Sequence, residues 1–427
     1  MSRVAVVGAG TMGLTAAYHL LKAGHQVEVF EADQIAGGMA AHFDFDGISL
    51  ERYYHFVCKA DRPTFELLAE LGMEGAMRWR PTSMGYFYQG EHHAWGDPLA
   101  LLRFPHLDLI SKIRYGLLMF LSTKRRDWSG LDKLRAHQWI KVWCGERAWK
   151  VLWEKLFTLK FFEFADDISA AWIWTRFKRI GTSRRSLMQE ELGYIEGGTE
   201  VLVQRLVERI GELGGKIHLA MPVSEVHIDN GAVTGLTAAG LRHAFDAVIA
   251  TVPLQFIPRM IPALPQDMRD QYAALKNIGV VCVVHKLKKS VTRHFWLNVN
   301  DDRIEVPGIV EFSNLRRFGD DHIVYFPYYM PTTHPKFSQS DESIAQESFA
   351  YLKLLNPALS DDDRLATRVS RLRYAQPVCP PRYPESVPPV ATHIKGLQIA
   401  DTSSYYPEDR GIAEGARLAK EMAARVR

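Results

Sequence analysis

The chain opens with an unbroken apolar run at residues 4–7, continues with apolar positions at helical spacing over 14–21, and returns to an apolar segment at 26–30. These read in order as a strand buried on both faces, the helix that crosses back over it, and the neighbouring parallel strand. Gly8, Gly10 and Gly13 punctuate the first junction, with Thr11 and Met12 between them. Gly8 permits the tight turn, Gly10 lets backbone amides approach a pyrophosphate, and Gly13 lets the helix pack closely on the sheet while its N-terminus faces the anion. Glu31, followed by Ala32, ends the third run 18 residues after Gly13, where a carboxylate can accept hydrogen bonds from an adenosine ribose. A second glycine pair, Gly37-Gly38-Met39-Ala40, comes just beyond. A nicotinamide dinucleotide requires nothing there, whereas FAD must be followed further along its length, so the pattern predicts FAD.

Further along, residues 43–48 alternate and turn at Asp46-Gly47, which predicts a β-hairpin. An amphipathic helix is expected over 62–71, and from about 75 to 193 the pattern reads as helical and aromatic, broken at Pro81, Pro98 and Pro105. Gly197-Gly198-Thr199 opens a helix over 201–213, followed by short strands at 216–219, 223–228, 232–237 and 247–250, the middle two joined at Asn230-Gly231. Residues 254–391 are mixed, with strands at 280–285 and 322–326, and the chain closes with a strand at 396–401 and a helix over 411–425. The expected fold is α/β, a Rossmann-like FAD-binding domain (a parallel sheet with helices on both faces) plus an α+β substrate domain. The first is assigned residues 1–61, 194–253 and 392–427, the second 62–193 and 254–391 with a helical insertion.

Composition narrows the partners. At 427 residues the chain exceeds one core, and 47 % hydrophobic with 24 % charged residues is ordinary for a globular protein. A net charge of +3 without a basic tract argues against nucleic acid. Cys58, Cys144, Cys282 and Cys379 lie far apart without a CxxC, so no metal site or disulfide framework is expected. The first strand begins at residue 3, so no signal peptide is expected and a cytoplasmic location follows. No apolar run is long enough to span a bilayer, which restricts any membrane contact to a peripheral one. The oligomeric state is left open.

VAVVGAGTMG, FEADQIAGGMA and the C-terminal GLQIADTSSYYPEDRGIAEGARLA together resemble the FAD-dependent amine-oxidase and protoporphyrinogen-oxidase-like superfamily, whose structural group includes UDP-galactopyranose mutase. Within it, ERYYHF, RFPHLDL, ADDISAAWIW, LGYIEGG, YAQPV and YYPEDRG resemble a bacterial branch of NAD(P)/FAD-dependent oxidoreductases. The resemblance implies pyrophosphate contacts from Gly8, Gly10 and Gly13, ribose contact from Glu31, and cofactor contacts from Gly37, Gly38 and Ala40. It further implies that the backbone of Val223 meets adenine. Ala400-Asp401-Thr402 lacks the glycine that relatives carry at this point, so either Asp401 reaches the ribityl chain or the strand end is shifted by one residue. Gly411 and Ile412 at the last helix start are expected at the flavin pyrimidine edge.

A flavin transfers the electrons itself, so the protein must position a substrate C–H and handle one proton. His55, just after the hairpin, is the candidate base or positioning group, against the alternative of a structural histidine. Tyr406 is a second catalytic candidate and Arg410 a ligand for cofactor or anionic substrate. The cations of residues 176–185 read as a solvated surface or as an anion clamp. The apolar stretch 113–121, flanked by Lys112, Arg114, Lys124, Arg125 and Arg126, reads as a core helix or as a peripheral membrane foot. The expected function is oxidation of a small or lipid-linked substrate, with flavin-dependent isomerisation or a non-catalytic flavoprotein as alternatives.

Overall fold

In the computed structural model, which describes residues 1–427, five parallel strands form a sheet in the order Lys216–His218, Gln26–Phe30, Arg3–Val7, Ala247–Ala250, Leu397–Ile399. Val4, Ala5 and Val6 in the central strand are wholly buried, but the expected helices on both faces are corrected: Val4 and Val6 face the helices, whereas Ala5 and Val7 face an antiparallel meander containing Val226, Val233 and Leu236. Helix Thr11–Lys22 packs against both Ile412–Ala424 and Thr199–Glu212. The chain runs from the central strand to one edge, then returns to build the other side. The order therefore reverses beside Arg3–Val7, and in such sheets ligands bind at that crevice, beyond the strand carboxyl ends.

Strands His42–Phe45 and Ile48–Glu51 form the expected hairpin. Asp46 (φ 52°) and Gly47 (φ 81°) both take the left-handed conformation that a two-residue primed turn needs. Strands Val223–Asp229, Ala232–Ala238 and Leu241–Ala244 make an antiparallel meander. A seven-stranded sheet runs Arg364–Pro377, Asn277–Leu287, His322–Met330, Gly308–Glu311, Trp296–Asn300, Met84–Tyr88, Glu91–Trp95.

The continuous helical reading of residues 75–193 is corrected at both ends. Met77–Thr82 pairs with Gln189–Ile195, while Met84–Tyr88 joins the large sheet by parallel pairing to Trp296–Asn300. Tyr86, Phe87 and Tyr88 favour a pleated surface, and Gln89 (φ 49°) with Gly90 (φ 88°) supplies another primed turn. The middle of the segment is helical as expected: Leu109–Lys124 packs on Ala136–Trp149 and Ala170–Thr182.

Candidate functional site

The two glycine loops lie against each other at the sheet's carboxyl edge. Gly37 N–H donates to Ala9 O at 2.8 Å, and a Cβ on Gly38 would stand 3.1 Å from Gly10 Cα. A Cβ on Gly13 would fall 1.9 Å from Gly8 O, so helix and loop touch at a distance only hydrogen allows. At Gly10 a Cβ would meet nothing within 4 Å, which leaves a bare shelf in front of helix Thr11–Lys22. That helix starts from Gly10 without a side-chain cap, and Ile412–Ala424 starts from Gly411 likewise. By contrast, Asp97 and Asp108 cap the helices Pro98–Arg103 and Leu109–Lys124. Free first-turn amides and the positive helix end are therefore left exposed where a dinucleotide's anionic groups would sit.

Glu31 is fixed just beyond the end of strand Gln26–Phe30, its carboxylate accepting from Ala9 N–H at 2.7 Å and Asp33 N–H at 2.8 Å. Ala32 beside it is exposed. The chain leading to Val223 is held alongside, because Met221 N–H donates to Glu31 O and Ala220 N–H to Asp33 O. Thr11, Met39, Ala40, Gly411 and Ile412 border a cavity of about 980 Å³ that continues from the shelf into the substrate region. Met12 instead faces the helix–helix contact, where Tyr405 Oη points at its sulfur from 3.5 Å. The bare shelf, two uncapped helices and a cavity of this size fit an extended dinucleotide such as FAD.

Two expectations at the C-terminal motif change. Asp401 is buried and absent from the cavity wall, and its carboxylate accepts from Leu254 N–H at 3.0 Å and Ser403 N–H at 2.7 Å. With both oxygens engaged in capping, a ribityl contact from that side chain is not supported. Thr402 borders the cavity in its place, as a one-residue shift would give. Tyr406 is likewise turned away: its hydroxyl bonds to Ser169 Oγ at 2.7 Å and donates to Asp132 Oδ1, tying the motif to the helical insertion. Its neighbour Tyr405 is the one that reaches the cavity, so a catalytic role for Tyr406 is not supported by this geometry.

Part of the basic stretch resolves differently from either reading. Arg176 pairs with Asp409 at 2.5 Å, Arg179 grips Asp61 through two bonds of 2.9 and 2.7 Å, and Arg184 donates to backbone carbonyls. Arg176 and Arg179 are thus already matched by carboxylates on other parts of the chain, which weakens the anion clamp.

At the inner end of the cavity Arg410 donates to Ala375 O and to Tyr329 Oη at 3.0 Å, while Lys160 lies with its Nζ 5.0 Å from the Tyr329 ring centre and 5.4 Å from that of Trp172. Lys160 has no carboxylate partner. Burial, reinforced by Arg176 and Arg410 and opposed by Asp409, brings its pKa down to about 7. Because the folded state loses this proton near pH 7 and an unfolded lysine near 10.5, the unfolded state binds more protons between those limits. Wild type is therefore expected to gain stability relative to Lys160→Met as pH rises from 7 to 10, a trend that urea midpoints measured in parallel check; a flat difference would contradict it.

His55 borders the same cavity, and its buried Nδ1 has no partner. Burial lowers its pKa to about 4 against the pull of Glu51, so the imidazole is neutral near pH 7. The expected titration in the neutral range is thereby moved to Lys160. Behind His55, the buried Glu51 accepts from Thr199 N–H at 3.2 Å, with His42 at 3.7 Å and Arg316 at 3.8 Å. Neither Lys160 nor this Glu51 group stands out in sequence. Away from the cavity, one ligand atom each of Glu91, His93 and His106 gather within 4.8 Å of one another, at spacings no metal motif announces.

The sequence model of the family described as flavin containing amine oxidoreductase matches residues 13–418. Among curated relatives, 15-cis-phytoene desaturase of Synechococcus elongatus is 26 % identical over 289 residues, 61 % of this chain and 60 % of that protein. Zeta-carotene desaturase of Synechocystis is 24 % identical over 99 % of this chain and 96 % of its own. The chain spans less than two thirds of the first of these and only 54 % of the tomato zeta-carotene desaturase. Among solved structures, one from Exiguobacterium sp. 255-15, provisionally named a protoporphyrinogen oxidase, superposes with a TM-score of 0.78 at 18 % identity over 99 % of this chain and 98 % of that one. Reduced UDP-galactopyranose mutase superposes with 0.75 at 14 % identity, over 100 % and 94 %. At such identities the superpositions establish a shared fold.

Proposed function

Because the chain belongs to the flavin-containing amine oxidoreductase family, we propose that it is an FAD-dependent oxidoreductase acting on a C–H bond of an elongated, uncharged, apolar substrate. FAD, held on the glycine shelf and along Gly411 and Ile412, supplies the hydride acceptor when bound. The observation that carries the substrate class is the cavity wall. Trp95, Tyr115, Met119, Leu156, Trp172 and Phe177 line its length, and at its inner end neither Lys160 nor Arg410 has a carboxylate within 4.0 Å. An ammonium substrate would meet Lys160 and Arg410 there, where the neighbouring carboxylate, Asp409, is already held by Arg176, so an amine is disfavoured by repulsion and desolvation. An apolar chain gains from burial against the aromatic wall. The named relatives that are desaturases support the same class.

In this reading His55, neutral and unpartnered, orients the substrate carbon. A two-electron oxidation that leaves a new double bond must also release one proton from the adjacent carbon. Lys160 Nζ, which exchanges its proton near pH 7, is suited to receive it. The isomerase alternative would need a clamp for a nucleotide diphosphate, and the engagement of Arg176 and Arg179 with Asp409 and Asp61 gives it no support. Anaerobic mixing of the holoprotein with detergent-solubilised neutral isoprenoid hydrocarbons is expected to bleach the oxidised-flavin absorbance, and mixing with diamines or benzylamine to leave it unchanged. Bleaching by amines alone would reverse the assignment.

A further inference from the structure

Helix Leu109–Lys124 buries Ser111, Leu118 and Ser122 and turns its opposite side outward. Leu109, Ile113, Leu117, Phe120 and Leu121 fall at intervals of three and four on that outer side, with Ile110 next to them. Ile110 is 69 % exposed, Ile113 60 % and Phe120 57 %. Leu99 and Leu102 of the adjoining helix Pro98–Arg103 are exposed as well. A core helix would bury this stripe. Arg103, Lys124, Arg125, Arg126 and Arg185 are all exposed, and none of the five is in an ion pair within 4.0 Å of a carboxylate. Phe120, Lys124, Arg185 and Leu187 are at once exposed and part of the wall of the cavity that leads inward to Lys160 and His55. No helix of the chain is long and apolar enough to cross a membrane.

We propose that this face docks on an anionic lipid bilayer, with the apolar stripe of Leu109–Lys124 in the headgroup–acyl boundary and the five cations on lipid phosphates. A continuous apolar patch is costly in water, and unpaired cations beside it match a negative surface, which a protein partner of unspecified charge would not explain. The cavity mouth between Phe120 and Leu187 then opens at the lipid, so a hydrocarbon substrate passes to the site without crossing water. This route rests on the substrate class proposed above; the docking itself does not.

The test is co-sedimentation of the FAD-loaded protein with vesicles of phosphatidylcholine alone and of phosphatidylcholine with phosphatidylglycerol. Wild type is expected to bind the anionic vesicles at least about tenfold more tightly than the neutral ones, with binding weakened by raised salt. Ile110→Glu/Ile113→Glu is expected to reduce binding to both about tenfold or more while retaining flavin. Should that variant lose its flavin, Arg125→Glu/Arg126→Glu, altered only at exposed positions, decides: it is expected to lose the preference for anionic vesicles. Absence of vesicle binding by wild type, or binding undiminished in both variants, overturns the proposal. So does a dimer in solution that the same substitutions make monomeric in a protein that ignores vesicles, which would assign the face to a second copy of this chain. Flavin reduction by hydrocarbons in detergent is measured separately, so failure of docking and failure of the substrate class are told apart.

Discussion

A Gly10→Asp protein is expected to fold and to purify without FAD. The side chain enters the open space before helix Thr11–Lys22, where a Cβ meets no protein atom within 4 Å, so the fold is not asked to move. What changes is the shelf: a carboxylate now occupies it and accepts the first-turn amides that would otherwise hold a pyrophosphate. Absorbance of the purified variant and its melting temperature beside flavin-stripped wild type check both halves. Full flavin content would remove the assignment of the Gly10 shelf to the pyrophosphate. Gly13→Ala is a useful contrast, because its methyl collides with Gly8 O at 1.9 Å and damages the loop itself.

His55→Ala is expected to keep FAD yet slow flavin reduction at least about tenfold, in the range that loss of one aligned group produces. Since burial holds the imidazole's pKa at about 4, the loss should be equal at pH 6 and pH 8, whereas a limb of the rate profile near pH 7 should persist and belong to Lys160. Stopped-flow reduction across that range makes the comparison. A variant without flavin would make His55 a support for the cofactor. An unchanged rate would end its assignment to substrate.

The nucleotide-binding part was legible because its signals are local. Gly8 to Gly13 sits between a saturated apolar run and a helical period, and Asp46-Gly47 and Asn230-Gly231 are turn pairs whose positive φ angles were required by the hairpins they close. The substrate region was harder to read. Met84–Tyr88 is buried through its middle and Glu91–Trp95 is largely polar, so neither shows the alternation that marks a strand half in water. Non-local pairing hid the chemistry as well. Arg176 and Arg179 read as free cations because Asp409 and Asp61 are 233 and 118 residues away. Tyr405 and Tyr406 are neighbours in an irregular turn, and sequence does not say which one faces the cavity. Lys160 looks like any helical lysine until the aromatic rings around it are known.

Strand Leu397–Ile399 closes the sheet beside Ala247–Ala250, and helix Ile412–Ala424 packs on Thr11–Lys22. The glycine loop is therefore synthesised well before its enclosure. A nascent chain can present Gly8 to Gly13 long before it owns the second uncapped helix, so a flavin held between the two is expected to be captured only once helix Ile412–Ala424 has been made. A polypeptide released earlier lacks one wall of the dinucleotide shelf and leaves the apolar edge of Ala247–Ala250 bare to proteases and aggregation. Acquisition of the yellow cofactor thus marks that helix Ile412–Ala424 has been made and packed in a given copy of the chain.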